Sequence, residues 1–566
     1  MRRTMGWIHT LLVSGFFLLV LYLWVLAGFS TSMMDANERT FLVGDSMALN
    51  LLSALVFLSL CLFSAWALRR LWEKKGTGER DAQMERMSRI VLWTIGCLGA
   101  LFVLATQRES RADQLFVQEV VDQWRMGDFS SFEKGGYLDQ YPHQAGFILI
   151  LYLFSFLFGT YNDLALQLAN VAALVVICRE LGDMAGERTG RCEVRLAVCL
   201  FCLFFFPGIL YTTFVYGNLM GLALSLLAFR YAARFLESGR LRHGCAAFLL
   251  LLMAVILKQN YLIFGIALVL WILMGLIRKN RVRTAAFAAS LVLAMLAASF
   301  LINGAVSLVT GHRPGRGLSR WSWVTMGVME SDVLYDGWWN HYNYDTYVTS
   351  GFDTDRQEAV NKADLAGRLK TFRDHPRYAL RFFVGKNASQ WNQPGFEGVW
   401  INRIMPENKR MREAAWADAI IRDDGTGPLS RFMNRYHFII LLGVLIHVCS
   451  GGLKRNPHEM FYGLAFIGGF LFYTVWEAKG QYTLSCFWLL LPMSAEGYAE
   501  LIRGILTRAG TGKGFRKPSP RKLILSGVAL LVSAVLFWTN PSLFRDLFLR
   551  DEDTEAYAAY LSEIEP

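Results

Sequence analysis

Long apolar blocks, broken by short polar interruptions, run along most of this chain. A helix needs about 20 mostly apolar residues to cross a bilayer, and thirteen blocks meet that pattern, near 7–30, 47–68, 90–106, 162–178, 194–212, 217–236, 244–258, 260–277, 285–308, 434–451, 458–476, 482–502 and 523–540. The pattern predicts an all-α polytopic membrane protein. One further run, AGFILILYLFSFLFGT over 145–160, is short for a span. It is expected to be a re-entrant or surface-lying helix, because counting it as a crossing inverts every loop downstream. Half-inserted backbone is stable only where protein or water covers its polar groups.

Composition agrees with the pattern. Of 566 residues, 54% are hydrophobic and only 18% charged, and the mean hydropathy is +0.32. Soluble chains carry nearer a quarter charged residues, so disordered, coiled-coil and ordinary soluble-enzyme readings fail. The net charge of +11 sits in short clusters between apolar runs: Arg69 to Arg89, Arg179 to Arg195, Arg230 to Arg242, Arg278 to Arg283, Lys454-Arg455 and Arg503 to Lys522. These loops alternate with poorly basic ones, which is the positive-inside pattern. It predicts a plasma-membrane protein with a cytoplasmic N-terminus, starting Met1-Arg2-Arg3 and anchored by its first run. Nucleic acid is not an expected partner, because no soluble domain carries a basic face.

The expected divisions are N-terminal spans (1–106), an outer loop with juxtamembrane and re-entrant helices (107–161), a central bundle (162–310), a mainly helical extracytoplasmic segment (311–433), C-terminal spans (434–540) and an acidic outer tail (541–566). The tail carries Asp546, Asp551, Glu552, Asp553, Glu555, Glu563 and Glu565. The nine cysteines give neither a disulfide framework nor zinc spacing; Cys199 and Cys202 read C-x-x-C inside a Phe-rich run, where packing is the expected role.

Few ionisable groups lie inside the spans. That favours chemistry at the membrane–water boundary over a charged path through the bilayer. After the third span, Val117, Val120, Val121 and Trp124 recur at helical spacing, with Asp113 on the same side and Glu119 and Asp122 turned toward water. Asp113 is either the cap of that helix or a base at the boundary. Next comes G-G-Y-L-D-Q-Y-P-H-Q-A-G, in which Tyr137, Tyr141, His143 and Gln144 are candidate binding residues or a plain entry to the next helix. Lys258 stands between two spans with almost no loop, and either snorkels to the surface or holds a phosphate. In the outer segment, Arg313, Arg316, Arg320, Glu330, Trp339 and Asn340 mix cations, amides and aromatics, as a sugar site or an interfacial belt would. Glu477 and Lys479 share a face of V-W-E-A-K-G-Q-Y-T, and Asn387-Ala388-Ser389 matches a short glycosylation pattern.

The order of these pieces resembles a family. An acid just after a span is followed by a boundary helix, Y-P-H-Q-x-G, an apolar helix ending L-F-G, a span opening after Y-G-N, the run Met326-Gly327 to Trp339-Asn340, and a late E-A-K-G-Q-Y. The chain resembles the GT-C superfamily of membrane glycosyltransferases, near its dolichyl-phosphate-mannose protein mannosyltransferase-like and aminoarabinose transferase-like branch and the bacterial members that carry Y-P-H-Q. The likeness covers most of residues 100–490, and two of the spans before Gln107 sit outside the usual core. It implies a GT-C-like bundle, a polyprenyl-phosphate-linked sugar donor drawn from the membrane lipid, and a glycan, lipid or protein acceptor. It also implies inverting transfer on the extracytoplasmic face, with Asp113 as general base. Lys258, with Arg313, Arg316 or Arg320, would match the cations that stabilise the departing phosphate. Tyr137, Tyr141, His143, Gln144, Glu330, Trp339, Asn340 and Glu477 would face sugar or acceptor.

Two positions depart from that family. Asn218 stands where many members carry a second acid, and Gln114 follows Asp113 where a second acid is common. Hard cations want carboxylate oxygens, so no metal or other cofactor is expected to be required. A lipid-linked sugar flippase and a non-catalytic envelope-assembly scaffold are the competing readings.

Overall fold

The structure is a computed structural model that describes residues 2–35, 37–275, 281–332, 334–403, 414–423, 425, 427–455 and 458–511. The expected span 523–540 and the acidic tail lie outside the described residues. Within them the fold is helical apart from one two-stranded antiparallel hairpin, Ser30–Met34 against Thr40–Gly44.

Among the described residues, seven helices are long and apolar enough to cross a membrane: Trp7–Phe29, Met47–Leu71, Thr77–Thr106, Asp163–Thr189, Asn218–Ser238, Val282–Thr310 and Pro428–Cys449. Counting two bent pairs as single spans gives nine. This is consistent with a multi-pass membrane protein. The expected runs 244–258, 260–277 and 458–476 are shorter apolar helices, Leu241–Leu257, Gln259–Met274 and Glu459–Val475. The run expected over 482–502 divides into Gly480–Trp488 and Leu490–Thr511, and the second carries Glu496, Glu500 and Arg503. The described helices do not confirm thirteen full crossings.

The two bends have local causes. Cys192–Phe204 and Pro207–Thr213 meet at 58°, where Pro207 cannot continue the hydrogen-bond ladder. Ser130–Gln140 and Pro142–Phe158 meet at 95°, again at a proline. The second helix of this pair covers the run 145–160 that is expected to re-enter. Gly146, in its first turn, sits where a Cβ would meet the Ile256 carbonyl and Ile302. That close approach sets the Y-P-H-Q turn beside the break at Lys258.

The bundle has two chemically different ends. At one, Arg188 pairs with Glu459 at 3.0 Å and with Glu496, Arg230 pairs with Glu180 at 2.8 Å, and Arg195 pairs with Asp183 at 2.7 Å. At the other end lie the hairpin, residues 107–145, the 258–260 break and the described part of 311–427. There the Ser32 amide donates to the Asn392 carbonyl at 2.9 Å. Arg111 donates to the Ile401 carbonyl and to Thr213 Oγ1, the latter at 3.0 Å. The Ser110 amide donates to Asp163 Oδ2 at 2.9 Å. Cys199 and Cys202 are buried in the core.

Candidate functional site

The boundary helix forms as Asp113–Met126, with Val117, Val120, Val121 and Trp124 buried and Glu119 exposed. Asp113 does not cap it. The cap position belongs to Ala112, with φ +49° and no side-chain bond to the helix. Asp113 is half-buried, and its carboxylate accepts no hydrogen bond from the described residues. The neighbouring side chains are fixed instead. Gln114 Oε1 accepts from the Val215 amide at 2.7 Å, and Arg111 brackets the loop from below. Gln114 thus has a structural task that an acid could not perform without burying a charge.

The unpaired carboxylate of Asp113 acts electrostatically on Tyr137, Tyr141, His143, Tyr216, Lys258, Glu477 and Lys479. Those groups come from four separate stretches of sequence. Tyr137 stacks on Phe116 with ring centres 5.9 Å apart, Gln144 donates to the Tyr216 hydroxyl, and His143 packs edge-on against Trp323.

Lys258 is reached through a glycine. Gly217 has φ +77°, and a Cβ there would lie 3.1 Å from the Leu257 carbonyl. Its absence lets the start of the Asn218–Ser238 helix meet the break between the two short apolar helices. The Lys258 ammonium donates to Asn218 Oδ1 and lies 4.6 Å above the Tyr216 ring. Burial lowers it to about 7, against the pull of Asp113 and Glu397. Its hydrogen-bond partner is a neutral amide, so the positive charge is not cancelled. Beside it lies a cavity of about 20 Å³, lined by Asn218, Asn260, Phe264, Tyr473 and Tyr482.

Lys479 forms the second cation. It pairs with Glu38 of the hairpin at 2.9 Å. Burial opposes its charge, but Glu38, Glu397, Glu477 and Asp113 together hold it well above the usual lysine range. The opposing carboxyls shift the other way. Burial raises Glu477 to about 7 and Glu397 to about 8, with Lys479 pulling each back. Glu477 accepts from the Tyr482 hydroxyl at 3.2 Å. Its position is set by Lys386, whose ammonium donates to the carbonyls of Gly327, Thr474 (3.0 Å) and Trp476 (2.7 Å). That clamp ties the Pro376–Trp391 helix to the end of the Glu459–Val475 helix one residue before Glu477.

The structure therefore brings together Asp113, Tyr137, Tyr141, His143, Gln144, Lys258 and Glu477. Arg320 is exposed, yet its charge reaches His143. Other expected residues lie apart. Arg313 is exposed, and Arg316 is exposed and paired with Asp355 at 2.6 Å. Exposed Glu330 accepts from the Tyr378 hydroxyl at 2.5 Å and, through its carbonyl, from Asn340 at 3.0 Å. Trp339 packs on His341 with ring centres 3.8 Å apart. No contact among the described residues joins Glu330, Trp339 or Asn340 to Asp113. Asn387 is buried and accepts from Thr474 at 3.3 Å, so its glycosylation match is that of an inaccessible side chain.

Glu38 and Glu397 were not anticipated. Glu397 has a sequence signal, a lone acid in the apolar run G-F-E-G-V-W; Glu38, in a polar turn, has none. The described residues also hold one group of potential metal ligands, His447, Glu459 and Glu496, at the opposite end of the bundle. The Arg188 guanidinium already pairs with both of those carboxylates, so that donor set does not fit a cation.

Compared with known protein families, characterised proteins and solved structures, the chain matches none.

Proposed function

We propose that the chain is an integral membrane glycosyltransferase that moves a sugar from a polyprenyl-phosphate donor to an envelope acceptor. In this reading it is a GT-C-like bundle of about thirteen spans in the plasma membrane. Its N-terminus and arginine-rich end face the cytoplasm, following the positive-inside bias, and the Asp113 end faces outward. The observation that carries the reading is the pairing of opposites at that end. An acid with no hydrogen-bond partner, Asp113, shares a site with a cation, Lys258, whose hydrogen-bond partner is a neutral amide.

The chemistry follows from those two groups. Asp113 accepts the proton of the acceptor hydroxyl as its oxygen bonds to the sugar carbon. The bond from that carbon to the phosphate oxygen breaks on the opposite side, so the centre inverts. The bonding electrons leave with the polyprenyl phosphate, whose growing charge is met by Lys258, with Arg320 at longer range. Fixed cations aimed at developing charge in a water-poor site are effective because they need no reorganisation. The apolar flank of the Lys258 cavity, Phe264 with Ile263, suits the first units of a prenyl chain.

The test is direct. Purified protein in lipid discs is given polyprenyl-phosphate hexoses and a panel of acceptors. Acceptor-dependent release of polyprenyl phosphate, abolished by Asp113→Asn, supports the reading. Absence of turnover over a broad donor panel overturns it.

A further inference from the structure

A second cavity, of about 80 Å³, opens between the hairpin, the turn around Gln393–Trp400 and the start of the Pro428–Cys449 helix. A water needs on the order of 10–15 Å³, so the space takes several waters or one edge of a six-membered ring. Four residues on its lining each carry a buried oxygen with no hydrogen-bond partner, Thr31 Oγ1, Gln393 Oε1, Glu397 Oε2 and Asn434 Oδ1, and of these Gln393 Oε1 lies against Gly480 at the edge of the Lys479 turn. Buried polar atoms are nearly always paired, and here four residues with an orphaned oxygen line one cavity.

The chemistry of the lining selects the ligand. Three of the four are neutral amide or hydroxyl oxygens. The one carboxyl, Glu397, already faces the Lys479 ammonium. The other acid on the wall, Asp423, is occupied by the amides of Gly425 (3.1 Å), Gly427 (3.2 Å) and Ser430 (3.0 Å). A cation therefore finds no uncommitted charge, and exposed Arg431 is the one basic side chain on the lining that an anion would meet, beside oxygens that accept. Hydroxyl donors complement the four oxygens, and half-buried Trp400 beside them offers an indole surface to ring C–H groups.

We propose that this cavity binds a neutral, hydroxyl-rich group, a sugar ring or polyol headgroup. Glu397 is shared between the cavity and the Lys479–Glu477 cluster, so an occupant would lie next to the Asp113 site. Its assignment as the acceptor rests on the glycosyltransferase reading; its binding does not.

The experiment uses the full chain in lipid discs, followed by thermal melting and tryptophan fluorescence. Soluble arms contain methyl hexosides or glycerol; a membrane arm contains a hexosyl diacylglycerol in the disc. At least one arm is expected to raise the melting temperature and change the fluorescence. Thr31→Val with Gln393→Met is expected to weaken that response at least tenfold while the ligand-free melting temperature stays near wild type. If that double variant melts far lower, Thr31→Val alone is used and a threefold or greater loss is expected. A response in the soluble arms points to a free saccharide or polyol, and one confined to the membrane arm to a glycolipid. No response in any arm, or one the variants leave unchanged, means ordered water alone fills the cavity and overturns the proposal. Saccharide binding without any hexosyl transfer leaves the cavity standing and sinks the transferase reading. Lys258-dependent transfer with no saccharide response does the reverse.

Discussion

The backbone amide of Ser110 donates to Asp163 Oδ2 at 2.9 Å, and the Ser110 hydroxyl donates to the other oxygen of the same carboxylate. The two residues flank the whole stretch that holds the boundary helix and the apolar helix Ala145–Phe158. A chain that leaves the bundle at Ser110 and re-enters at Asp163 returns to the end it left. This is why Asp113 and Lys258 act on each other, and why the arginine-rich turns gather at the other end.

That geometry predicts labelling. In a background without the native cysteines, Tyr161→Cys and Asn37→Cys should react with an impermeant thiol reagent from the same face, and Lys75→Cys from the other. Labelling of Tyr161→Cys and Lys75→Cys from one face would show that residues 145–158 do cross. Asp163→Ala leaves the buried Ser110 amide without its acceptor, a cost of about 1–3 kcal/mol, read as a lower melting temperature.

Asp113→Asn should leave expression and melting near wild type, because the carboxylate accepts no hydrogen bond that the amide would lose. Transfer should fall by about 10²–10⁴, the usual contribution of a positioned general base. Arg111→Met two residues away should do the opposite. It removes the bonds to Ile401, Glu109 and Thr213 and should reduce folded protein before any assay of activity. Equal behaviour of the two variants would reduce Asp113 to a structural residue.

The apolar blocks were legible because a span needs a length and a hydropathy, both local properties of sequence. So was the Lys258 break, since a lone lysine with no loop is conspicuous in an apolar run. The limits appeared where partners are distant in the chain. Arg316 reads as a candidate phosphate ligand until Asp355 is found beside it. The hairpin's strands are five residues each and follow directly from a long helix, so no alternation of useful length marks them. Asp35 stabilises the turn by accepting from the Asn37 and Arg39 amides at 2.8 and 2.9 Å, a pattern that reads as an ordinary loop. The spans flanking the hairpin therefore looked peripheral, although the hairpin between them carries Glu38 into the site.

The neutral partner of Lys258 yields a charge test. Asn218→Asp would place a carboxylate on the ammonium, pairing the charge that an anionic leaving group needs. Binding of a polyprenyl phosphate should weaken about tenfold or more, while the new ion pair keeps the protein folded. Lys258→Met should weaken binding comparably. Tighter binding by Asn218→Asp would instead argue that a divalent cation, recruited by the added acid, is the natural phosphate partner.

Acidity near Lys258 gives a pH dependence of defined sign. Its ammonium is lowered to about 7 by burial, so above that pH the free site is neutral and must take up a proton to hold an anion. The dissociation constant for polyprenyl phosphate should rise by up to about tenfold per unit above pH 7. Glu477, raised to about 7, and Glu397, raised to about 8, lose protons in the same window. Their added negative charge acts in the same direction. Lys258→Arg separates the contributions, since guanidinium stays charged throughout. Its slope should be shallower than wild type, and an unchanged slope would assign the whole effect to the carboxyls.

The hairpin makes two different attachments, and they predict two different phenotypes. Glu38 at its turn pairs with Lys479 at 2.9 Å within the site, whereas Asp45 just beyond its second strand pairs with Arg435 at 2.9 Å and accepts from Asn434 at 2.7 Å. Removing one partner of a buried ion pair commonly costs 3–5 kcal/mol because the other charge is stranded. Lys479 is not stranded in Glu38→Gln, since Glu397 and Glu477 still face it. The ammonium should swing toward them, disturbing the groups around Asp113 at a stability cost nearer about 1 kcal/mol. Among the described residues no second acid pairs with Arg435, and Asn50 offers it only a neutral oxygen. Asp45→Asn should therefore lower the melting temperature more than Glu38→Gln. Transfer per folded molecule should fall severalfold in Glu38→Gln and stay near wild type in Asp45→Asn. Full turnover in Glu38→Gln would make the hairpin a tether alone, and leave the site to the residues from Asp113 onward.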